Sequence, residues 1–336
     1  MKQRKLELID EQKSPLFRIM SVTNADEPAR RKFDNNISAF HIGNGYVLSV
    51  AHNLRSLAQL FKSIPEADYQ GNIVPHLNAN EIALFNRCYI LDNVANNRHL
   101  SSANQQDITS LIGALNRINY DTRWINFYQN NICKPFLIIQ FRNNQLYNDA
   151  GLTALIGANR YFPEPAQNRH TFILELELVN AYYSEDIALY KITNTHKDII
   201  DEIPSVQIDY EIYDTSNNNF FCLQSAPVDN LGRLLNEAKI EGILDHWNIF
   251  SDRFQGNYIV EGLRYLIKGY FRFGSSGAPY FMYDEENDIF KVNAVQSEAS
   301  PIQLSINNNR NGNFQYINAI ASPLSLIRDR LEQEIN

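Results

Sequence analysis

The chain reads as a mostly β protein with a helix-rich interruption after its first hairpin and a helix at its C-terminal end. Three observations predict this. Apolar residues alternate at period two in Thr171-Phe-Ile-Leu-Glu-Leu-Glu-Leu-Val, the pattern of a half-buried strand. Short β-branched and aromatic runs recur through the second half of the sequence. Helical spacing is clearest in the region from about Glu81 to Phe127 and in the stretch from Ser322 onward.

Taken in order, Ile37 to Val50 holds two short strands around Gly43-Asn44-Gly45, a hairpin signal. Ser56 to Phe61 has the look of a short helix that ends before Pro65. Asp107-Ile-Thr-Ser-Leu-Ile-Gly-Ala-Leu-Asn-Arg-Ile repeats its apolar residues at three and four positions, with Asp107 placed as an N-terminal carboxylate. Strand character returns at Pro135-Phe-Leu-Ile-Ile-Gln-Phe and Ile187-Ala-Leu-Tyr-Lys-Ile. It continues at Val206–Tyr213, Phe220–Gln224, Tyr258–Val260, Tyr265–Phe273, Ala278–Tyr283 and Ile289–Gln296. Gly232 to Ile249 fits helix or strand. The last helix is expected to use Ser322 as N-cap and Pro323 as its first residue.

Composition narrows the function. The apolar fraction of 44% and charged fraction of 20% are those of a globular protein. A net charge of −8 argues against a nucleic-acid or anionic-membrane surface, so neither partner is expected. No apolar run approaches the length of a membrane span, and the N-terminal ten residues lack the apolar core of a secretory signal. Cys88, Cys133 and Cys222 are odd in number and far apart, with neither disulfide nor metal spacing. A reducing cytoplasm is the expected compartment. The histidines show no paired spacing, so no metal and no other cofactor is expected.

Three segments carry chemistry. Tyr46-Val-Leu-Ser-Val-Ala-His52 is a strand ending in small residues and a histidine. Ser184-Glu-Asp186-Ile-Ala-Leu puts an acid directly before a strand. Gly274-Ser-Ser276-Gly-Ala-Pro holds a serine in a turn of small residues, which presents the hydroxyl and aims backbone N–H groups beside it. In this order and with these flanking phrases, the chain resembles the chymotrypsin (trypsin-like) serine protease superfamily. The resemblance covers roughly residues 33 to 60 and 165 to 332.

The resemblance implies a double antiparallel β-barrel with the site between the barrels, a large helical insertion and a C-terminal helix. It divides the chain into 1–61, the part of the first barrel with the histidine, and 62–165, a mainly helical insertion. The remainder of the first barrel, with the acid, spans 166–205; the second barrel, with the serine and the final helix, spans 206–336. It implies peptide-bond hydrolysis through an acyl-enzyme, with Ser276 as nucleophile, His52 as general base and Asp186 as its orienting acid. Gly274 and Ser276 would supply the oxyanion-hole N–H groups, each worth about 3 kcal/mol in the barrier. Gly277 is expected to let substrate approach closely. Tyr270, Gln296, Ser297 and Glu298 are the expected substrate-binding residues, with Glu298 a negative charge at the rim. Ser275 and Glu185 are the rivals of Ser276 and Asp186, and His41 is expected to be structural.

Two departures stand out. Zymogen-activated relatives have Asp directly before the nucleophile, where this chain has Ser275. About 130 residues separate His52 from Asp186, which leaves room for the insertion. The insertion is expected to cover the cleft or to bind a regulatory protein, since a cytoplasmic protease without a zymogen switch needs another restraint. Beside the endopeptidase stands a catalytically silent peptide-binding or scaffold module of the same fold. An esterase or acyl transferase on this fold would share the chemistry.

Overall fold

The computed structural model describes residues 1–10, 13–23, 32–52, 79, 133–140, 171–182, 184–193, 197–217, 219–226, 231–245, 249–250, 259–260, 262–269, 275–303 and 314–336. Helix α1 (Lys2–Ile9) leads into β1 (Leu16–Thr23), β2 (Lys32–Gly43) and β3 (Tyr46–Ser49). β4 (Cys133–Gln140), β5 (Thr171–Tyr182) and β6 (Ile187–Ile192) follow. These strands close a barrel in the order β1-β2-β3-β6-β5-β4, with β4 returning to pair with β1. The β2–β3 hairpin turns through Asn44 and Gly45, both at positive φ (52° and 78°), as a two-residue primed turn requires.

Helix α2 (Lys197–Glu202) and the short β7 (Gln207–Ile208) connect to the second half. That half comprises β8 (Phe220–Ala226), β9 (Leu231–Leu244), β10 (Ile249–Phe250), β11 (Ile259–Val260), β12 (Arg264–Lys268), β13 (Pro279–Asp284), β14 (Ile289–Gln303) and β15 (Phe314–Pro323). The sheet β13-β8-β9-β12-β15-β14 closes on itself because β13 also pairs with β14. β7 adds to β14 in parallel, and β10 and β11 pair apart. The protein is therefore a double antiparallel barrel.

Strands at the junction are buried on both faces. In β8, Phe220 and Cys222 pack inside the second barrel, while Phe221 and Leu223 join the core shared with the first. β13 divides the same way, with Tyr280 and Met282 inside and Phe281 at the junction. Burial pushes the Cys222 thiol up to about 12, in keeping with a small packed hydrophobe. The terminal helices cross over. Lys5 of α1 lies 4.1 Å from the centre of the Phe221 ring on the second barrel. A 3-10 turn (Leu324–Ile327) and α3 (Arg328–Ile335) return to the first barrel. There Leu331 is buried and Tyr46 donates to the Glu334 carbonyl at 3.1 Å.

Several elements differ from the sequence reading. Pro323 ends β15 in an extended conformation and precedes a 3-10 turn, and the Ser322 hydroxyl caps nothing, so the expected capping is corrected. Gly232 to Ile249 resolves as strand where it is described. Of Val206–Tyr213 only Gln207–Ile208 pairs. β4 lies within 62–165, the span read as an insertion, yet it fills the barrel between β1 and β5. Apart from β4 and Ala79, that span, with its expected helices, lies outside the described residues, as does Ser56 to Phe61. Removing all of 62–165 takes away a barrel strand. Such a chain is expected not to fold, seen as loss of the near-ultraviolet circular dichroism of its aromatic core; a native spectrum would show that β4 is dispensable.

Candidate active site

The site is built from the ends of strands in both barrels. His52 follows β3, whose four residues are all buried, so the strand holds the histidine at a fixed exit point. Asp186 is the last residue of the turn before β6, with its backbone at φ 57°, a left-handed conformation that costs a non-glycine residue about 1–2 kcal/mol. It is fully buried.

The two residues meet twice. The His52 backbone N–H donates to Asp186 Oδ1 at 2.7 Å, and His52 Nδ1 lies 2.7 Å from Asp186 Oδ2. A carboxylate accepts only, so Nδ1 carries the proton and Nε2 is left as the acceptor nitrogen of the ring. The Ser297 hydroxyl also donates to Asp186 Oδ2. Burial opposes a charged imidazole, but the Asp186 charge and its hydrogen bond outweigh it, with a smaller push from Glu298. The His52 pKa is therefore held above its ordinary value.

Ser276 sits in the turn before β13 and is half-buried, while Ser275 beside it is fully buried. The Ser276 carbonyl accepts the Ser38 N–H of β2 at 2.9 Å, which ties this turn to the first barrel. The Gly277 N–H donates to the Gln296 carbonyl at 2.9 Å, and Ser297, next along β14, reaches Asp186. One short path thus links the serine turn to the acid and from there to the histidine.

Gly277 has a close neighbour within the protein. Its φ is +85°, and a Cβ there would stand 1.9 Å from the Ser38 carbonyl oxygen and 2.6 Å from Ser49 Oγ. The close approach is to the first barrel's backbone, where Ser49 Oγ donates to the same Ser38 oxygen at 2.7 Å.

The expected substrate-binding residues divide. Gln296 is fully buried; it accepts the Tyr280 hydroxyl and donates to the Glu298 carbonyl at 2.6 Å. Ser297 turns inward to Asp186 because β14 carries a bulge between Gln296 and Glu298. Both side chains therefore point into the protein. Glu298 is half-buried, and its charge acts on His52. Tyr270 and Gly274 lie outside the described residues.

Of the rivals, Glu185 turns to Arg330 of α3 at 2.5 Å. His41 serves the hairpin and the inter-barrel linker. Its Nδ1 faces the Ile203 and Pro204 carbonyls at 3.2 Å each, and its Nε2 accepts the Gly45 N–H at 3.0 Å. The role of Ser297 was missed because a bulge leaves no mark in the alternation of β14. Among the described residues no helix is long and apolar enough to cross a membrane.

No family model matches the chain, and no curated protein matches it in sequence. Among solved structures it is similar to the Rv3671c protease from M. tuberculosis in its active form, at 11% identity over 99% of this chain and 85% of that one, with a TM-score of 0.45. The inactive form of that protease matches at 10% identity over 99% of this chain and 94% of that one, with a TM-score of 0.42. Deg5 matches at 9% identity over 98% of this chain and 92% of that one, with a TM-score of 0.43.

The tight contact at Gly277 has a direct consequence. Gly277→Ala is expected to lose about 3 kcal/mol or more of folding stability, because both a positive φ and a backbone clash must be relieved. Urea unfolding measures this, and an unchanged midpoint would show that the barrels do not pack at this point.

Proposed function

We propose that the chain is a serine endopeptidase in which Ser276 attacks the scissile carbonyl, His52 moves the proton and Asp186 orients His52. The observation that carries this reading is the two-point hold of the buried Asp186 on His52. It fixes the ring's position through the backbone and its tautomer through Nδ1, which is what a general base for a serine hydroxyl requires.

The steps follow from that tautomer. Ser276 Oγ forms a bond to the carbonyl carbon while its proton passes to His52 Nε2. The carbonyl π electrons move to oxygen, next to the N–H groups of Ser276 and Gly274 that this reading assigns as the oxyanion hole. The C–N bond breaks as Nε2 returns the proton to the leaving amine, giving the acyl-enzyme and a free amine. Water then repeats the sequence, and Ser276 recovers its proton. Throughout, Asp186 remains a carboxylate facing an imidazolium that forms and disappears.

A silent scaffold of the same fold would keep the geometry and lack the reactivity. A fluorophosphonate probe is expected to label the native protein covalently at Ser276. His52→Ala and Ser276→Ala should lose both labelling and peptide turnover while keeping the native circular dichroism. Labelling that survives Ser276→Ala would overturn the assignment, and no labelling of the native chain would favour the scaffold.

The pH dependence carries a sign. His52 works as a base only when neutral, so kcat/KM should rise with pH through its pKa. Because Asp186 raises that pKa, the acidic limb should lie above about pH 6.5, the ordinary histidine value. Asp186→Asn should move the limb downward and reduce kcat by about 10⁴-fold. A limb that stays in place in Asp186→Asn would remove Asp186 from this role.

A further inference from the structure

We propose that Arg264 is a positioning residue for Asp186: it clamps the turn that carries the acid and sets a buried positive charge on the acid's far side from His52. Its consequence for turnover rests on the peptidase reading above; its effect on the His52–Asp186 pair does not.

Arg264 opens β12 and is fully buried. A buried guanidinium is costly unless it meets acceptors and an opposite charge. Arg264 meets one acceptor across the barrel junction and one beside it in the chain. Nη2 donates to the Ser184 carbonyl at 2.6 Å, two residues before Asp186, and Nη1 donates to the Leu263 carbonyl at 2.8 Å. The first bond joins the second barrel to the turn that holds Asp186 in its left-handed conformation. Burial lowers the Arg264 pKa, opposed by the charges of Asp186 first, then Glu185 and Glu298. Glu185 is already engaged by Arg330 of α3. Nε of Arg264 is buried and without a hydrogen-bond partner among the described residues, so the guanidinium is held for its charge and its forked end.

The chemistry explains why such a cation is needed. A general base must be neutral, and in that state His52 gives Asp186 two N–H donors and no charge. Ser297 adds a neutral hydroxyl. Among the described residues, the charged groups around the pair are Glu298 from β14, Glu185 and Arg330 at the turn, and Arg264 from β12. Of these, Arg264 is the buried cation coupled to Asp186. Without it the charge of the acid would act on His52 unopposed, and the protonated ring would be favoured.

The sign of the test follows. Removing the cation favours the protonated imidazole, so the His52 midpoint rises. The test titrates His52 in the full chain by nuclear magnetic resonance of its imidazole nitrogens, which needs no enzymatic activity. Arg264→Gln is expected to raise the midpoint by about half a unit or more, and Arg264→Lys, which keeps the charge, to bring it back near the native value. On peptide substrate, Arg264→Gln should lower kcat about tenfold or more with KM little changed, because the base is displaced and not the substrate. An unmoved midpoint in Arg264→Gln, or no recovery in Arg264→Lys, overturns the proposal. If Arg264→Gln does not fold, the native protein decides. The Arg264 guanidinium nitrogen signals should titrate with the His52 midpoint, and the absence of an inflection there would sink the idea. A native chain that neither cleaves nor labels would defeat the peptidase reading, while the titration would still decide on Arg264.

Discussion

The structure turns on a buried carboxylate. Asp186 is wholly removed from water, and an ionised acid in such a place must have its lone pairs filled by donors already in position. The donors come from both barrels. His52, at the end of β3, supplies its backbone N–H and its ring nitrogen. Ser297 supplies its hydroxyl from a bulge in β14. The acid is therefore satisfied only when the barrels are docked in one relation. The same contact that orients the histidine also reports that docking is complete.

Other features of the junction serve that relation. The serine turn lies against the first barrel through the Ser38 bond to the Ser276 carbonyl, and the absence of a side chain at Gly277 lets the two backbones meet. The terminal helices reinforce the junction from outside, α1 on the second barrel and α3 on the first. Docking and working state pull in different directions at His52. Its folded-state pKa is raised, so the protonated ring adds stability that is fully present below its unfolded pKa and lost as pH rises through the folded value. On the reading proposed above, the base acts only on the high-pH side, where this contribution has gone. The junction must hold there without it, which is the condition that neutral donors and backbone bonds meet.

What could be read from the sequence follows from how residues are buried. β5 alternates because one face meets the barrel interior and the other does not; Leu174, Leu176 and Leu178 are buried while Glu177 is exposed. Ile187–Ile192 was legible as a short apolar run, and the hairpin was legible in Asn44 and Gly45. β1 left no such trace. Its Leu16, Phe17, Arg18 and Ile19 are all buried, so period two vanishes and a buried arginine interrupts the apolar run. β15 was missed for another reason: it fills the barrel with Ala319 and Ala321, small residues that carry little strand signal. His52 and Asp186 were legible through the phrases around them, because strand ends fix both. Ser297 and Arg264 were not, because their parts depend on a bulge and on a contact across 80 residues of chain.

The serine turn is held by backbone hydrogen bonds. Ser275 is buried, and its carbonyl accepts the Ala278 N–H at 2.8 Å. The Ser276 carbonyl takes Ser38, the Gly277 N–H takes Gln296 at 2.9 Å, and the Gln296 N–H returns to the Ala278 carbonyl at 2.8 Å. Consecutive residues of the turn are thus fixed by backbone bonds that involve no terminal amine. Such bonds form whenever β2, β13 and β14 are in place, so folding itself sets the turn.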